Sequence, residues 1–84
     1  MKSELKELTI PAQSTVVGRS IVELKLPAEF LIVLIGRNDE FVVPGGSSVL
    51  QTGDMLLVLA SKEAYRQVQQ QVDGVGSSPA DTAG

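Results

Sequence analysis

Phe30-Leu31-Ile32-Val33-Leu34-Ile35-Gly36-Arg37-Asn38-Asp39-Glu40-Phe41-Val42-Val43-Pro44 is the stretch on which the fold turns. Its first eight residues are β-branched, branched aliphatic or aromatic up to Gly36-Arg37, and turn residues follow, which is the signature of a strand. Asn38 and Asp39 both tolerate positive φ, so they suit a two-residue hairpin turn. That turn sets Arg37 opposite Glu40, where the two side chains are expected to pair. Glu40-Phe41-Val42-Val43 is then the returning strand. Pro44 has no amide to donate, so pairing ends there or lies on a sheet edge.

Downstream, Gly45-Gly46-Ser47-Ser48 reads as a flexible loop, Val49-Leu50 returns to the core, and Thr52-Gly53-Asp54 forms a turn. Met55-Leu56-Leu57-Val58-Leu59-Ala60 is a second wholly apolar strand. Ser61 caps a helix over 62–72, whose Ala64, Tyr65, Val68 and Val72 recur at helical spacing. Upstream, residues 5–10 alternate as a strand that Pro11 stops. Ser20 followed by Glu23 is a capping box, in which each residue satisfies a free amide of the other at a helix start, and it predicts a short helix over 21–25 ended by Pro27. The order is strand, short helix, three strands, helix. Short connections between strands favour a four-stranded, mainly antiparallel sheet of an α+β domain, with a short helix after strand 1, a C-terminal helix, and both helices on one side. Residues 1–4 are expected to be an overhang, 5–72 the domain, and the Gly-, Ser- and Ala-rich residues 73–84 a disordered tail or linker.

The 84 residues leave room for one domain, of a size whose core is marginal. There is no cysteine to staple the fold or bind metal, and no histidine to act as a general base near neutral pH. With 7 basic and 10 acidic residues the net charge is −3, which repels phosphate backbones and argues against nucleic acid as a partner. Apolar runs reach six residues where a membrane-spanning helix needs about 20, so no insertion into a bilayer is expected.

A strand sends alternate side chains to opposite faces. Strict alternation puts Phe30, Ile32 and Leu34 on one face of their strand and Leu31, Val33 and Ile35 on the other. Met55, Leu57 and Leu59 likewise oppose Leu56, Val58 and Ala60. Both faces of both strands are apolar, and two helices cover only one face. Each large side chain left in water forgoes roughly 1.5–3 kcal/mol of burial. Either Val16, Val17 and Leu50 fold over the second face, or that face or a sheet edge packs against another copy or another domain. The second solution is preferred, and two copies about a twofold axis is its commonest form.

Catalytic motifs are absent. Gly18-Arg19-Ser20-Ile21-Val22 lacks the second glycine of a nucleophile elbow and any histidine to activate Ser20. Gly45-Gly46-Ser47-Ser48 lacks the Lys-Ser/Thr ending of a phosphate loop. Asp39, Glu40 and Asp54 sit in turns with structural roles. The chain is therefore expected to be no enzyme and to hold no metal or cofactor.

One longer pattern is more specific than these motifs. Ile10-Pro11, Ser14, Val17-Gly18-Arg19-Ser20-Ile21 and Glu23-Leu24 precede the strand ending at Arg37. Phe41-Val42-Val43-Pro44, Gly46, Val49-Leu50 and Gly53-Asp54 then lead into Met55-Leu56-Leu57-Val58-Leu59-Ala60. This order resembles the TrkA-C domain, also called RCK-C, of bacterial potassium-conductance regulators. The run from Phe41 to Asp54 is similar to the copy in cell-volume-regulation antiporters that exchange sodium or potassium for protons. The resemblance implies a homodimeric regulatory domain on the cytoplasmic side of the plasma membrane, joined to the membrane transport domain of the same parent protein. The alternative is a free-standing ligand-binding or scaffold module associated with a potassium channel or transporter. Some members of the family bind a cyclic dinucleotide at the dimer interface. The resemblance carries a site for that or another nucleotide ligand onto Ile35, Arg37, Asn38, Val43 and Pro44.

Overall fold

Residues 2–74 are described by a computed structural model of the chain. Strand β1 (Glu4–Thr9) leads through a turn-rich segment to helix α1 (Ile21–Leu24), and strands β2 (Phe30–Arg37), β3 (Glu40–Val42) and β4 (Met55–Ala60) precede helix α2 (Lys62–Val72). All pairings are antiparallel, and the sheet order is β1-β4-β2-β3. The expected α+β architecture is present. The strand order adds one feature: β4 lies between β1 and β2, so the chain from residue 43 to residue 54 must cross the end of the sheet.

Local chemistry explains the elements. Asn38 and Asp39 both have positive φ, 52° and 64°, and join β2 to β3 in a two-residue turn of the twist that hairpins favour. The Ser20 amide donates to the Glu23 carboxylate at 2.8 Å, the reciprocal half of a capping box. The amide of Ala64 donates to Ser61 Oγ at 3.1 Å at the start of α2. The segment expected to be a flexible loop is instead pinned. Gly45 N–H donates to Ser48 Oγ, Ile21 N–H to the Ser48 carbonyl and Val22 N–H to the Gly46 carbonyl, so backbone groups left free at the start of α1 find their acceptors there.

The domain also reaches beyond its expected limits. Glu4, placed in the overhang, pairs with Ala60. Thr15 donates through its amide to the Gly74 carbonyl and through Oγ1 to the Gln71 carbonyl, so Asp73 and Gly74 belong to the body rather than to a tail. The remainder of the expected tail, 75–84, lies outside the described residues.

Strict alternation fails in β2. The register against β4 shifts between Ile32 and Leu34, a bulge in which two residues occupy one pairing step. Val33 and Leu34 therefore both turn to the uncovered side, and Ile35 joins Phe30 and Ile32 in the core. Ile35 is 0% exposed. The core cluster is completed by Leu8, Ile10, Val16, Leu24, Leu50, Leu56, Val58 and Ala60, with Ala64, Val68 and Val72 of α2. Val16 and Leu50 thus bury themselves on the helix side and do not cover the second face. That face stays open, with Leu5 62%, Leu31 59% and Phe41 69% exposed.

The two sides of β2 are expected to answer differently to truncation. Ile35→Ala should cost about 3 kcal/mol in urea unfolding, as core deletions do, and Leu31→Ala less than about 1 kcal/mol in the isolated chain. Equal losses at the two positions would contradict the bulged register.

Candidate functional site

The hairpin end of the sheet is held by a buried carboxylate. Asp54, at the entry to β4, is 1% exposed. Arg37, at the end of β2, donates to it from Nε at 2.8 Å and from Nη2 at 2.6 Å, a two-pronged contact between planar groups. The Gln51 amide adds a third donor at 2.9 Å, and Arg37 Nη2 also reaches the Val49 carbonyl at 3.0 Å. The backbone of the same residues ties in β1: Ile10 N–H donates to the Asp54 carbonyl, and Gly53 N–H to the Ile10 carbonyl. Gly53 makes this turn at φ +85°, a conformation costly for any residue with a Cβ.

This arrangement sets the protonation of the pair. Burial alone raises the Asp54 pKa, but the Arg37 hydrogen bonds, the Gln51 amide and the Arg37 charge outweigh it and hold the carboxyl below the ordinary carboxylate range. The hydrogen bond to Asp54 raises the pKa of Arg37 further, so the guanidinium stays charged. Arg37 and Glu40 do face each other in the register, as the hairpin requires. The guanidinium nevertheless turns to Asp54, because a buried carboxylate must be paired whereas Glu40 is exposed to water. The expected Arg37–Glu40 pair is replaced by Arg37–Asp54.

Two grooves lie along β2, one at the hairpin and one beside its first residues. The first, of about 530 Å³, is lined by Arg37 and Asn38 with Gly36, Phe41, Gly53 and Met55, and by the acidic Asp39 and Glu40. The second, of about 240 Å³, is apolar and runs from Ile21, Leu26 and Phe30 to Pro44, Gly45 and Gly46. The residues expected to bind a ligand are thus divided. Arg37 and Asn38 open on the first groove, Pro44 on the second, and Val43 stands 80% exposed on the chain just before Pro44. Ile35 lies inside the core and supports the hairpin from behind. Phe41, the aromatic surface of the first groove, was missed in the sequence, where it reads as one more apolar strand residue. Asp54 was assigned to a turn, and its partner lies 17 positions away with no periodic signal linking the two.

Among the described residues, no group of three or more His, Cys, Asp or Glu side chains is placed to hold a metal ion. No helix among them is long and apolar enough to cross a membrane.

Comparison with known proteins connects this geometry to a family. The model of the TrkA-C domain family matches residues 5–73. The Trk system potassium uptake protein TrkA homolog 2 of Methanosarcina mazei is 28% identical over 68 residues, which are 81% of this chain and 15% of that protein. The Trk system potassium uptake protein TrkA of Mycobacterium tuberculosis is 31% identical over 67 residues, 80% of this chain and 30% of that one. The chain therefore spans less than a third of the length of these relatives. Among solved structures, the RCK_C domain dimer of S. agalactiae BusR in complex with c-di-AMP superposes with a TM-score of 0.73 at 26% identity, covering 82% of this chain and 89% of that one. The RCK C domain of the potassium transport protein KtrA, in complex with cyclic diadenosine monophosphate, gives 0.70 at 25% identity and covers 82% of each chain. BusR is also known in complex with its busAB-promotor DNA, in a structure of which this chain covers 35%. A net negative charge on one such domain is thus no ground for excluding nucleic acid from the larger assembly.

The Arg37–Asp54 pair yields a stability prediction with a defined sign. A carboxyl whose pKa is depressed on folding stabilises the folded state above its unfolded pKa of about 3.9, and the contribution is lost as pH falls through the folded value. Asp54→Asn should therefore cost about 2–4 kcal/mol at neutral pH in chemical unfolding, since it leaves the guanidinium half-paired. It should also flatten the loss of stability between about pH 5 and pH 2. Parallel acid profiles for the two proteins would show that Asp54 carries no such linkage.

Proposed function

The chain belongs to the TrkA-C domain family, and we propose that it serves as a dimerising, ligand-sensing regulatory domain of a monovalent-cation transport protein, working on the cytoplasmic side of the membrane. The observation that carries this is a pair of separate open grooves along β2: one at the hairpin bears Arg37, Asn38 and the exposed ring of Phe41, and an apolar one bordered by Pro44 lies beside Phe30 and Ile32. Apolar and aromatic walls suit the flat faces of bases, and a few convergent polar groups fix orientation, as small-molecule sites require.

The ligand class is a cyclic dinucleotide, supported by the c-di-AMP complexes of the BusR and KtrA domains. Within one chain Arg37 is already engaged by Asp54, and Asp39 and Glu40 oppose phosphate in the first groove. The phosphates therefore need donors beyond a single hairpin, and a twofold dimer that brings two hairpins to one ligand supplies them. Asn38, Val43 and Pro44 are the side chains free to meet the ligand, with Arg37 as a partly spent cation whose side chain is 23% exposed.

The parent protein is a cation/proton antiporter, with this domain following its membrane part. The antiporter reading is supported by the run from Phe41 to Asp54, while the relatives, Trk system potassium uptake proteins, support the coarser reading of a part in potassium transport. Regulation then works by population shift: ligand favours one dimer geometry, and the attached transporter responds to that geometry. The alternative is a separate subunit of a potassium channel or transporter. A reading frame that continues upstream through a series of apolar spans supports the antiporter, and one complete in this chain overturns it.

The ligand reading is tested by calorimetry with c-di-AMP on the wild-type chain. Saturable heat with a dissociation constant near the micromolar range is expected, weakened about tenfold or more by Val43→Asp or Pro44→Ala. Arg37→Ala is an ambiguous probe because it also strands Asp54. Absence of heat at about 1 mM ligand from the folded dimer would overturn c-di-AMP as the ligand.

A further inference from the structure

Resting on the regulatory reading above, we propose that the free edge of β3 is a docking strand. It takes an extended, lysine- and arginine-bearing cytoplasmic segment of the membrane transport protein by strand addition, and the nucleotide displaces that segment. The sheet ends on β1 at one side and on β3 at the other, and an outer strand has backbone groups with no neighbouring strand to pair them. The two edges are treated differently. On β1 the Glu7 carbonyl is taken by Tyr65 Oη, which donates to it at 2.9 Å. The Lys6 ammonium lies 5.3 Å from the centre of the same ring and 3.4 Å from the Glu4 carboxylate. Charged side chains and an aromatic ring thus close the β1 edge, which is how soluble sheets refuse a further strand.

The β3 edge carries no such guard. In a two-residue hairpin the pair next to the turn, Arg37 and Glu40, exchanges the ladder hydrogen bonds. At the following pair, Gly36 and Phe41, the backbone groups therefore point away from the partner strand, and the alternation repeats at Val43. Phe41 and Val43 are also the most exposed large apolar side chains among the described residues, at 69% and 80%. Unpaired main-chain groups beside alternate apolar side chains are what strand addition uses, the first for affinity and the second for selectivity. Charge selects the occupant. Asp39 and Glu40 stand at the turn end of this edge, and the cation across the register, Arg37, is held by Asp54. A segment with basic residues complements that end, and the cytoplasmic segments next to membrane spans carry an excess of lysine and arginine. Pro44 has no amide and closes the edge after Val43, so the added strand is short and its affinity modest. Asn38 and Val43, two of the side chains left free for a nucleotide, lie at the two ends of the same edge. Segment and nucleotide therefore exclude each other, and a ligand shared by two hairpins frees the segment.

The probe is an end-blocked peptide of alternating valine and lysine, titrated into the isotope-labelled 84-residue chain and followed by NMR. A dissociation constant of about 0.1 mM is expected, with hydrogen exchange slowed at the amides of Phe41 and Val43 and unchanged at Glu7. Methylating the peptide's backbone amides should remove binding, whereas a contact through side chains alone survives it. Phe41→Pro removes the outward donor, and proline is tolerated on an edge strand, so it should weaken binding about tenfold beyond Phe41→Ala. Asp39→Asn keeps the residue suited to the positive φ of the turn and should weaken binding about threefold, with a shallower dependence on salt. Saturating c-di-AMP should displace the peptide. No binding at about 1 mM peptide, or equal binding of the methylated peptide, overturns the docking strand and leaves the ligand reading standing. Peptide binding that saturating c-di-AMP leaves unchanged overturns the exclusion. Peptide binding by a chain that gives no heat with c-di-AMP overturns the ligand reading alone.

Discussion

Asp54 is a carboxylate taken out of water at the point where three strands end, and the lower half of the domain is arranged to satisfy it. Its two oxygens accept from Arg37 at the end of β2 and from the Gln51 amide in the preceding turn. Its backbone holds Ile10 at the end of β1. Arg37 in turn holds the Val49 carbonyl, and Leu50 and Ser48 on either side are bonded to Arg19 and Ile21. A crossing segment with almost no regular structure is thereby fixed between β3 and β4. Without the pair, the entry of β4 is held to β1 by the backbone bonds with Ile10 but loses its tie to the end of β2. A buried charge that has lost its partner is worse for the fold than no charge at all.

The same end of the molecule carries the Arg37 and Asn38 part of the candidate ligand site, which places it beside the group on which stability depends. Groups that a nucleotide would approach, Arg37 and Asn38, are one bond network away from the segment that anchors α1. A ligand or a second subunit that alters the hairpin acts on a rigid clasp rather than on a loose loop. The domain leaves its other sheet face uncovered, and in a chain of this size the loss is substantial.

Much of this was legible in the residues. The hairpin was legible because Asn38-Asp39 allows only a narrow set of turns, and both helix starts because Ser20, Glu23 and Ser61 supply side chains where free amides need them. The apolar second face was visible in Met55 to Ala60. Other features were not legible for physical reasons. The bulge at Val33 and Leu34 depends on how β2 lies against β4, and it moved Leu34 out and Ile35 in. Gly45 to Ser48 is rich in glycine and serine, which signals freedom unless a neighbouring helix start needs its carbonyls, and here α1 does. Of the candidate site residues, Asn38, Val43 and Pro44 lie at the surface, Arg37 is divided between structure and surface, and Ile35 is inside.

By itself the sequence determined the elements, their order, the one-sided supply of helices and the family pattern, because these follow from turn chemistry, capping and periodicity within short windows. Only the tertiary structure decided which strand lies between which, which partner Arg37 takes and which side chains of β2 face water. Those outcomes are set by competition between groups far apart in the chain, and a buried carboxylate outbids an exposed one for the same guanidinium whatever the local spacing suggests.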